Sequence, residues 1–117
     1  MKCTIYHNKK CSKSRATLQL LQSRGLEPTI IDYLKNSPRV DELEKIITKL
    51  KIHPKHLIRF KEDKAKKLGI SANDNLTYEQ WIKILEKNPE LIERPIVVTS
   101  KGAIIGRPPE NVLKVLN

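Results

Sequence analysis

Residues 5 to 15 read Ile5-Tyr6-His7-Asn8-Lys9-Lys10-Cys11-Ser12-Lys13-Ser14-Arg15: a β-prone run, a polar loop and the start of a helical pattern. The β-prone run ends at His7 and helical spacing begins at about Cys11, which predicts a strand-loop-helix unit. A thiol at that helix start lies near unpaired N–H groups and the positive end of the helix dipole. The surrounding lysines and Arg15 add positive potential, and both effects lower a thiol pKa. Cys11 is therefore the candidate nucleophile.

The other cysteine, Cys3, lies inside the predicted first strand over residues 2 to 7, where a small apolar side chain is expected. At about 3.3 Å per extended residue, Cys3 is more than roughly 10 Å from the end of that strand, beyond the roughly 7 Å limit for bridged Cα atoms. We expect no disulfide between them. No secretory signal precedes Cys3, and no run approaches the roughly 18 apolar residues of a membrane span. These features predict a reduced, cytoplasmic protein with no membrane partner.

The composition fits one ordinary domain of 117 residues, of which 38% are hydrophobic. A formal net charge of +10 invites a nucleic-acid function, but aromatic residues make up only 4% of the chain and no nucleic-acid-binding motif is recognisable. We therefore expect no nucleic-acid partner. No acidic residue precedes Glu27, so positive potential is concentrated around Cys11 and favours an anionic substrate or partner. His7, His53, His56 and two separated cysteines have no zinc-site spacing, which predicts no metal.

The next segments alternate between helix and strand. Residues 11 to 24 have leucines at helical spacing, and Gly25 supplies a C-terminal stop. The run Thr29-Ile30-Ile31-Asp32-Tyr33-Leu34 predicts a second, largely buried strand, parallel to the first if the helix is a crossover. Ser37 is predicted to cap a helix with Pro38 at its first position. The apolar face of that helix comprises Val40, Leu43, Ile46, Ile47 and Leu50.

Between Lys51 and Pro89 the sequence predicts short helices and no strand. His53-Pro54 begins a helical turn that extends through Phe60, and Lys64 to Leu68 forms another that Gly69 ends. Thr77 and Gln80 have the spacing of a capping box before a third helix.

The last part of the chain predicts a hairpin and a helix. Two β-prone runs, Pro95–Thr99 and Ala103–Ile105, flank Ser100-Lys101-Gly102, which is typical of an antiparallel hairpin. A final helix would place Val112, Leu113, Val115 and Leu116 on its apolar side. The order predicts an α/β, thioredoxin-like (glutaredoxin-like) fold. It would be a single domain over residues 1–117, with a helical insertion at about 38–92 between the β-α-β half and the C-terminal hairpin and helix.

Three motifs together resemble one family. They are His7-Asn8-x-x-Cys11-x-x-Ser14-Arg15, Arg94-Pro95-Ile96-Val97-Val98 and Gly106-Arg107-Pro108-Pro109-Glu110. The chain resembles the ArsC-like arsenate reductases that depend on glutathione and glutaredoxin, and the likeness covers nearly all of it. It is most similar to the short YfgD-like members, which end in the Ile-Gly-Arg-Pro-Pro-Glu segment.

The resemblance implies roles for named residues. Cys11 would attack arsenate as the nucleophile, with His7 in a supporting role beside the thiol. Arg59, Arg94 and Arg107 would hold the oxyanion, for which guanidinium forks are well suited. Pro95 matches the proline that thioredoxin-like folds hold in cis opposite the active cysteine.

The implied reaction reduces arsenate to arsenite through a covalent cysteine–arsenic intermediate. Glutathione would be the co-substrate and glutaredoxin the protein partner, with no bound cofactor, and we expect a monomer. Cys11-Ser12-Lys13-Ser14 has no second cysteine, so a monothiol cycle would need an outside reductant. The two lysines before Cys11 and Ser12 after it depart from the best-characterised members. These departures leave another oxyanion, or a mixed disulfide with glutathione, open as the substrate.

Two other functions compete with this interpretation. Spx-type regulators share the fold and bind RNA polymerase, but they typically have a Cys-x-x-Cys switch where this chain has Cys-x-x-Ser. A glutathione-linked thiol oxidoreductase without oxyanion specificity would need Cys11 but neither Arg94 nor Arg107.

Overall fold

The computed structural model describes residues 1–116, which are divided between two compact units. One unit contains Met1–Asn36 and the chain from Arg94 onward, and the other contains Ser37–Glu93. The first unit is a sheet with flanking helices and the second is helical. That the whole chain is one domain with an insertion at about 38–92 stays a prediction.

A four-stranded mixed sheet organises the first unit. Its strands are β1 (Cys3–His7), β2 (Thr29–Asp32), β3 (Ile96–Thr99) and β4 (Gly102–Ile105), in the order β2-β1-β3-β4. The helix α1 (Ser12–Ser23) connects β1 to its parallel neighbour β2, as predicted. β3 is antiparallel to both β1 and β4, which confirms the hairpin. The α/β, thioredoxin-like fold expected from the sequence is therefore confirmed.

The second strand is shorter and more exposed than the sequence predicted. β2 ends at Asp32, and Tyr33 and Leu34 belong to the turn that follows. Thr29 and Ile30 are exposed, and Ile30 retains 50% of its accessible surface. The prediction of a largely buried strand was wrong because β2 is an edge strand, with a neighbour only on the β1 side.

The core of this unit lies between the sheet, α1 and the last helical segment. It comprises Cys3, Ile5, Leu21, Val97, Val112 and Val115. Gly25, with a φ of +79°, follows the end of α1 in the left-handed region that favours glycine, as the predicted stop requires.

The final helix has a different geometry from the one the sequence predicted. Pro109–Val115 is a 3-10 helix, in which residues three apart share a face. Val112 and Val115 have that spacing and are buried, whereas Leu113 is 38% exposed. The expectation that Leu113 belongs to the apolar side was therefore wrong.

The helical unit contains α2 (Val40–Leu50), α3 (Asp63–Leu68) and α4 (Tyr78–Lys87), with 3-10 turns at Pro54–Leu57 and Pro89–Leu91. Thr77 and Gln80 form the predicted capping box, and Gly69 ends α3 in the left-handed conformation. The rings of Phe60 and Trp81 pack edge to face, with centroids 5.8 Å apart. No helix in the described part of the chain is long and apolar enough to span a bilayer.

The helical turn after His53 is shorter than predicted. Backbone hydrogen bonds beyond its end hold Arg59 in position. The helical turn ends at Leu57, and Ile58 forms an antiparallel bridge with Ile92. On either side of it, the Arg59 N–H donates to the Leu91 carbonyl at 2.7 Å and the Glu93 N–H donates to the Leu57 carbonyl at 2.8 Å. Phe60 is therefore outside the helical turn that the sequence assigned to it.

The start of α2 is stabilised by a residue from another helix. The sequence predicted a Ser37 cap, but α2 begins at Val40, whose N–H donates to the Glu86 carboxylate of α4 at 3.0 Å. The hydroxyl of Ser37 donates instead to the Glu86 carbonyl at 2.9 Å. A carboxylate at a helix N-terminus satisfies an open donor and opposes the helix dipole.

We expect Glu86→Ala to lower the free energy of unfolding by about 1 kcal/mol, because the Val40 N–H then loses its acceptor. Glu86→Gln retains an acceptor oxygen and should lose less. Urea denaturation of the three proteins measures the difference. An Ala variant as stable as the unaltered chain would contradict this role for Glu86.

Candidate active site

The loop between β1 and α1 is held in one conformation by its own hydrogen bonds. The Asn8 carbonyl accepts from the Cys11 N–H at 3.0 Å, and the Asn8 side-chain oxygen accepts from the Lys10 N–H at 3.0 Å. The Arg15 guanidinium donates to the Lys9 carbonyl at 3.0 Å. Asparagine is favoured in such turns because its side chain can bond to the backbone two residues later. These contacts fix the point at which α1 starts.

Cys11 is the N-cap residue of α1, as the sequence predicted, and its side chain is partly buried. Burial raises the pKa of this thiol, but hydrogen bonds from the Ser14 backbone N–H, the Arg94 side chain and the Lys13 backbone N–H oppose it. These donors together outweigh the burial, so the pKa of Cys11 lies below its ordinary value. Open N–H groups at a helix start and a nearby guanidinium are known ways to favour a thiolate.

Two arginines from the other end of the chain converge on the thiol. Arg94 lowers the pKa of the Cys11 thiol, through hydrogen bonding and through its positive charge. Arg107 Nη1 lies 3.7 Å from Cys11 Sγ and donates to the Arg94 carbonyl at 3.4 Å. The Arg94–Pro95 and Arg107–Pro108 peptide bonds are both cis. The structure thus brings together Cys11, Arg94, Arg107 and Pro95.

The backbone of Gly106 packs closely against Thr17 and Pro95. This packing places the next residue, Arg107, beside Cys11. A Cβ atom on Gly106 would lie 2.7 Å from Thr17 Oγ1 and 3.0 Å from Pro95 Cγ, so no side chain fits. The buried Thr17 hydroxyl lies 2.8 Å from the Lys13 carbonyl oxygen and 3.3 Å from the Gly106 carbonyl oxygen. On the other side, the Gly106 N–H donates to the Pro95 carbonyl at 2.9 Å. The residue before Arg107 is therefore fixed against both α1 and the start of β3.

His7 contacts Ser14. Its Nδ1 lies 2.6 Å from Ser14 Oγ, which also accepts from the Asn8 N–H at 3.0 Å. Both side chains are buried. Burial lowers the pKa of His7 and Arg15 lowers it further, against the opposing effect of Asp32. The lowered pKa favours the neutral imidazole near pH 7, and a supporting role for His7 beside the thiol stays a prediction.

Arg59 belongs to the helical unit. Its guanidinium forms ion pairs with Glu62 at 3.2 Å and with Glu93 at 3.7 Å. The side chain is 22% exposed. A planar guanidinium held by two carboxylates has a defined orientation. Its role in holding an oxyanion stays a prediction.

Cys3 differs from Cys11 in its surroundings. It is 6% exposed within the core, and burial raises the pKa of its thiol. Both cysteines are free thiols. Within residues 1–116, no three histidine, cysteine, aspartate or glutamate side chains are grouped so that they could hold a metal ion.

The sequence of the chain matches a known protein family. The ArsC family profile matches residues 6–115, which is most of the chain. The chain belongs to the ArsC family. This family assignment confirms the resemblance drawn from the three sequence motifs.

Relatives of this ArsC protein match it over nearly its whole length. Arsenate reductase of Escherichia coli is 45% identical over 113 residues, which cover 97% of this chain and 79% of that protein. The uncharacterized protein YfgD of Escherichia coli strain K12 is 43% identical over 96% of this chain and 94% of its own length. The solved structure of arsenate reductase from Vibrio cholerae superposes with a TM-score of 0.94 at 43% identity, covering 99% and 98% of the two chains.

Reasoning from the sequence assigned no separate role to Ser14, Thr17 or Gly106 of this ArsC protein. Ser14 was visible only as part of the Cys11-x-x-Ser14 motif, and its contact with His7 joins residues seven positions apart. Thr17 contacts Gly106 across 89 positions. The usable sequence signal is the spacing of Ser14, Thr17 and Leu21, which places all three on one face of α1. Polar side chains on the buried face of a helix need hydrogen-bond partners.

We expect Arg94→Ala to raise the pKa of Cys11, because the thiolate loses a charged donor. Thiolate formation would then require a higher pH, so alkylation of Cys11 by iodoacetamide should slow near neutral pH. The pH dependence of the alkylation rate measures this, in a Cys3→Ala background so that only one thiol reacts. Arg24→Ala, an exposed arginine on the same unit, is the control and should leave the profile in place. An unchanged profile in Arg94→Ala would contradict the assigned contact.

We expect Gly106→Ala to destabilise the protein by about 1–3 kcal/mol, because its Cβ must displace Thr17 or Pro95. The displacement should also move Arg107 and raise the pKa of Cys11. Thr17→Ala in the same chain removes Thr17 Oγ1 and Thr17 Cγ2, which would lie 2.7 and 3.1 Å from the added Cβ, and should restore part of the stability. Urea denaturation and thiolate absorbance measure the two effects. If Gly106→Ala changed neither the free energy of unfolding nor the pKa of Cys11, the close packing of Gly106 against Thr17 and Pro95 would be contradicted.

Proposed function

We propose that this protein is an arsenate reductase that uses glutathione and glutaredoxin, with Cys11 as its nucleophile. The observation that carries the proposal is a lowered-pKa thiol with both Arg94 and Arg107 as donors at its sulfur. A tetrahedral oxyanion beside such a sulfur would meet two permanently charged guanidinium groups. The arsenate reductases among the relatives support arsenate as that oxyanion.

In the first step, the Cys11 thiolate attacks the arsenic atom of bound arsenate. A sulfur–arsenic bond forms, and one oxygen leaves as water after accepting protons. Arg94 and Arg107 would stabilise the negative charge on the remaining oxygens, a contribution that is strongest when the donors are already in place. The contacts of Gly106 with Thr17 and Pro95 support that preorganisation on the Arg107 side.

Reduction then needs two further thiols from outside the chain. Glutathione forms a second sulfur–arsenic bond and releases another oxygen as water. The glutaredoxin thiolate attacks the glutathione sulfur, and the bond between that sulfur and arsenic breaks. Its electron pair passes to arsenic, and glutathione and glutaredoxin form a mixed disulfide. Water then releases arsenite and frees Cys11. In total, arsenate and two thiols give arsenite, one disulfide and water, so the two electrons gained by arsenic come from the two outside thiols.

His7, Ser14 and Arg59 have supporting roles in this proposal. The neutral imidazole of His7 holds the Ser14 hydroxyl, which keeps the first turn of α1 and its N–H groups in place behind the thiol. Arg59 is proposed as the third guanidinium for the oxyanion, oriented by its carboxylate partners. We also propose a monomer acting in the reducing cytoplasm, since every group named belongs to one chain and the thiols must stay reduced.

The two alternative functions explain less of the site. An Spx-type switch needs a second cysteine near Cys11, and that position is occupied by Ser14 with its side chain on His7. A thiol oxidoreductase without oxyanion specificity has no use for two arginines aimed at the sulfur. The arginines therefore favour oxyanion reduction.

We expect purified protein with arsenate, glutathione and glutaredoxin to produce arsenite, and Cys11→Ser to produce none because the nucleophile is lost. Arg94→Ala and Arg107→Ala should each lower kcat/KM for arsenate by about 100-fold, since each removes a charged donor from the transition state. Arsenite formation coupled to glutathione reductase measures the rates.

Cys3→Ala is the matched control, because Cys3 is a buried free thiol whose pKa is raised. Its activity should stay close to that of the unaltered protein. Turnover in Cys11→Ser would refute the nucleophile assignment. Arsenate turnover that is insensitive to both arginine substitutions would refute the oxyanion site.

A further inference from the structure

A cleft of about 270 Å³ lies beside the loop that leads to Cys11. Its lining residues are Asn8, Lys9, Lys10, Asp32, Leu34 and Lys35, and we call it the lysine cleft. Small-molecule pockets typically measure roughly 300 to 1,000 Å³. The lysine cleft is just below that range, which suits a ligand that is partly exposed to solvent.

Two ordered turns form the walls of the lysine cleft. One follows β1, where the Asn8 side chain accepts from the Lys10 N–H at 3.0 Å. The other follows β2, where the Asp32 carboxylate accepts from the Leu34 N–H at 3.2 Å and the Asp32 carbonyl accepts from the Lys35 N–H at 3.1 Å. β1 and β2 are parallel and adjacent, so the turns that follow them lie at the same end of the sheet, where the carboxyl ends of both strands are. In α/β sheets, ligands bind beyond the carboxyl ends of such strands.

The charged residues of the lysine cleft are not among the groups proposed to hold the oxyanion. Lys9, Lys10 and Lys35 are exposed lining residues, with Asp32 as the acidic group among them. Neither Arg94 nor Arg107 is a lining residue of the cleft. Three ammonium groups and one carboxylate would complement a ligand with an excess of carboxylates and one ammonium group. Lysine suits flexible carboxylates, because its ammonium is a point charge without a fixed geometry.

A ligand in the lysine cleft would lie within a short reach of the thiol. Lys10 is adjacent to Cys11, and consecutive Cα atoms are about 3.8 Å apart. The Cys11 N–H bonds to the carbonyl of Asn8, itself a lining residue, at 3.0 Å. An extended tripeptide spans roughly 10 Å, so its central residue could approach Cys11 while its ends stay among the lysines.

We propose that the lysine cleft is the binding site for glutathione. The carboxylates of its γ-glutamyl and glycine ends would contact the lysines, and its single ammonium group would contact Asp32. Leu34, which is 45% exposed, would cover the apolar part of the chain. This assignment rests on the proposed function, because the glutathione sulfur would approach the arsenic atom on Cys11 from this side.

The first test compares steady-state constants for Lys10→Ala/Lys35→Ala with those of the unaltered protein. KM for glutathione should rise roughly fivefold, because each exposed charge contact contributes a few-fold to binding. KM for arsenate and for glutaredoxin should stay within about twofold. Lys66→Ala/Lys67→Ala, which removes the same charge from exposed positions of α3 outside the cleft, should leave KM for glutathione unchanged.

The second test measures binding without any turnover. S-methylglutathione, which cannot form a disulfide, is titrated into Cys11→Ser protein and followed by NMR. We expect amide shifts at Asn8–Lys10 and Asp32–Lys35, weakened by added salt. These shifts should be lost in the Lys10→Ala/Lys35→Ala background and with the diethyl ester of the same ligand.

The two tests separate this site from the proposed function. Binding at the lysine cleft without arsenate reduction would refute the function and retain the site. Arsenate reduction with an unchanged KM for glutathione in Lys10→Ala/Lys35→Ala would refute the site and retain the function. A rise in KM for glutaredoxin alone would also overturn the site, because it would make the lysine cleft a docking surface for that protein.

Discussion

The close approach of Gly106 to Thr17 is the constraint on which the rest of the site depends. It joins the C-terminal hairpin to the helix that begins with Cys11, and a single methyl group at Gly106 would separate them. Gly106 also packs against Pro95, so the same contact positions the start of β3. Arg94 and Arg107 are the residues immediately beside these two positions. The packing of one glycine thus sets where two guanidinium groups meet one sulfur.

The pKa of Cys11 results from burial, which raises it, and from hydrogen-bond donors, which lower it. Burial disfavours the thiolate, whereas two backbone N–H groups and the Arg94 side chain favour it. Cys3 has the burial without the donors, and its pKa moves the other way. The difference between these two thiols is therefore a difference in hydrogen-bond donors. Helix α1 supplies the backbone donors because Cys11 is its N-cap residue.

Local sequence patterns predicted most of the sheet, the capping box at Thr77 and the position of Cys11, because these features depend on neighbours within a few residues. The features that sequence did not predict depend on distant partners. The start of α2 is set by Glu86 from another helix, and the exposure of β2 follows from its position at the sheet edge. Ser14 was quoted in a motif but acquired its role only when the fold placed it on His7. Arg94 and Arg107 were assigned through family resemblance, since no local pattern indicates that they converge.

The pairing of β1 with β3 has a consequence for how the chain is made. Cys3 is opposite Thr99 in the sheet, so β1 cannot gain this neighbour until β3 has been synthesised. Arg107 is 96 residues after Cys11. A growing chain therefore has Cys11 without its guanidinium neighbours until Arg94 and Arg107 have been synthesised. Of the groups that lower the pKa of Cys11, the Ser14 and Lys13 N–H groups are close to it in sequence, whereas Arg94 can join them only after the chain has been made as far as β3.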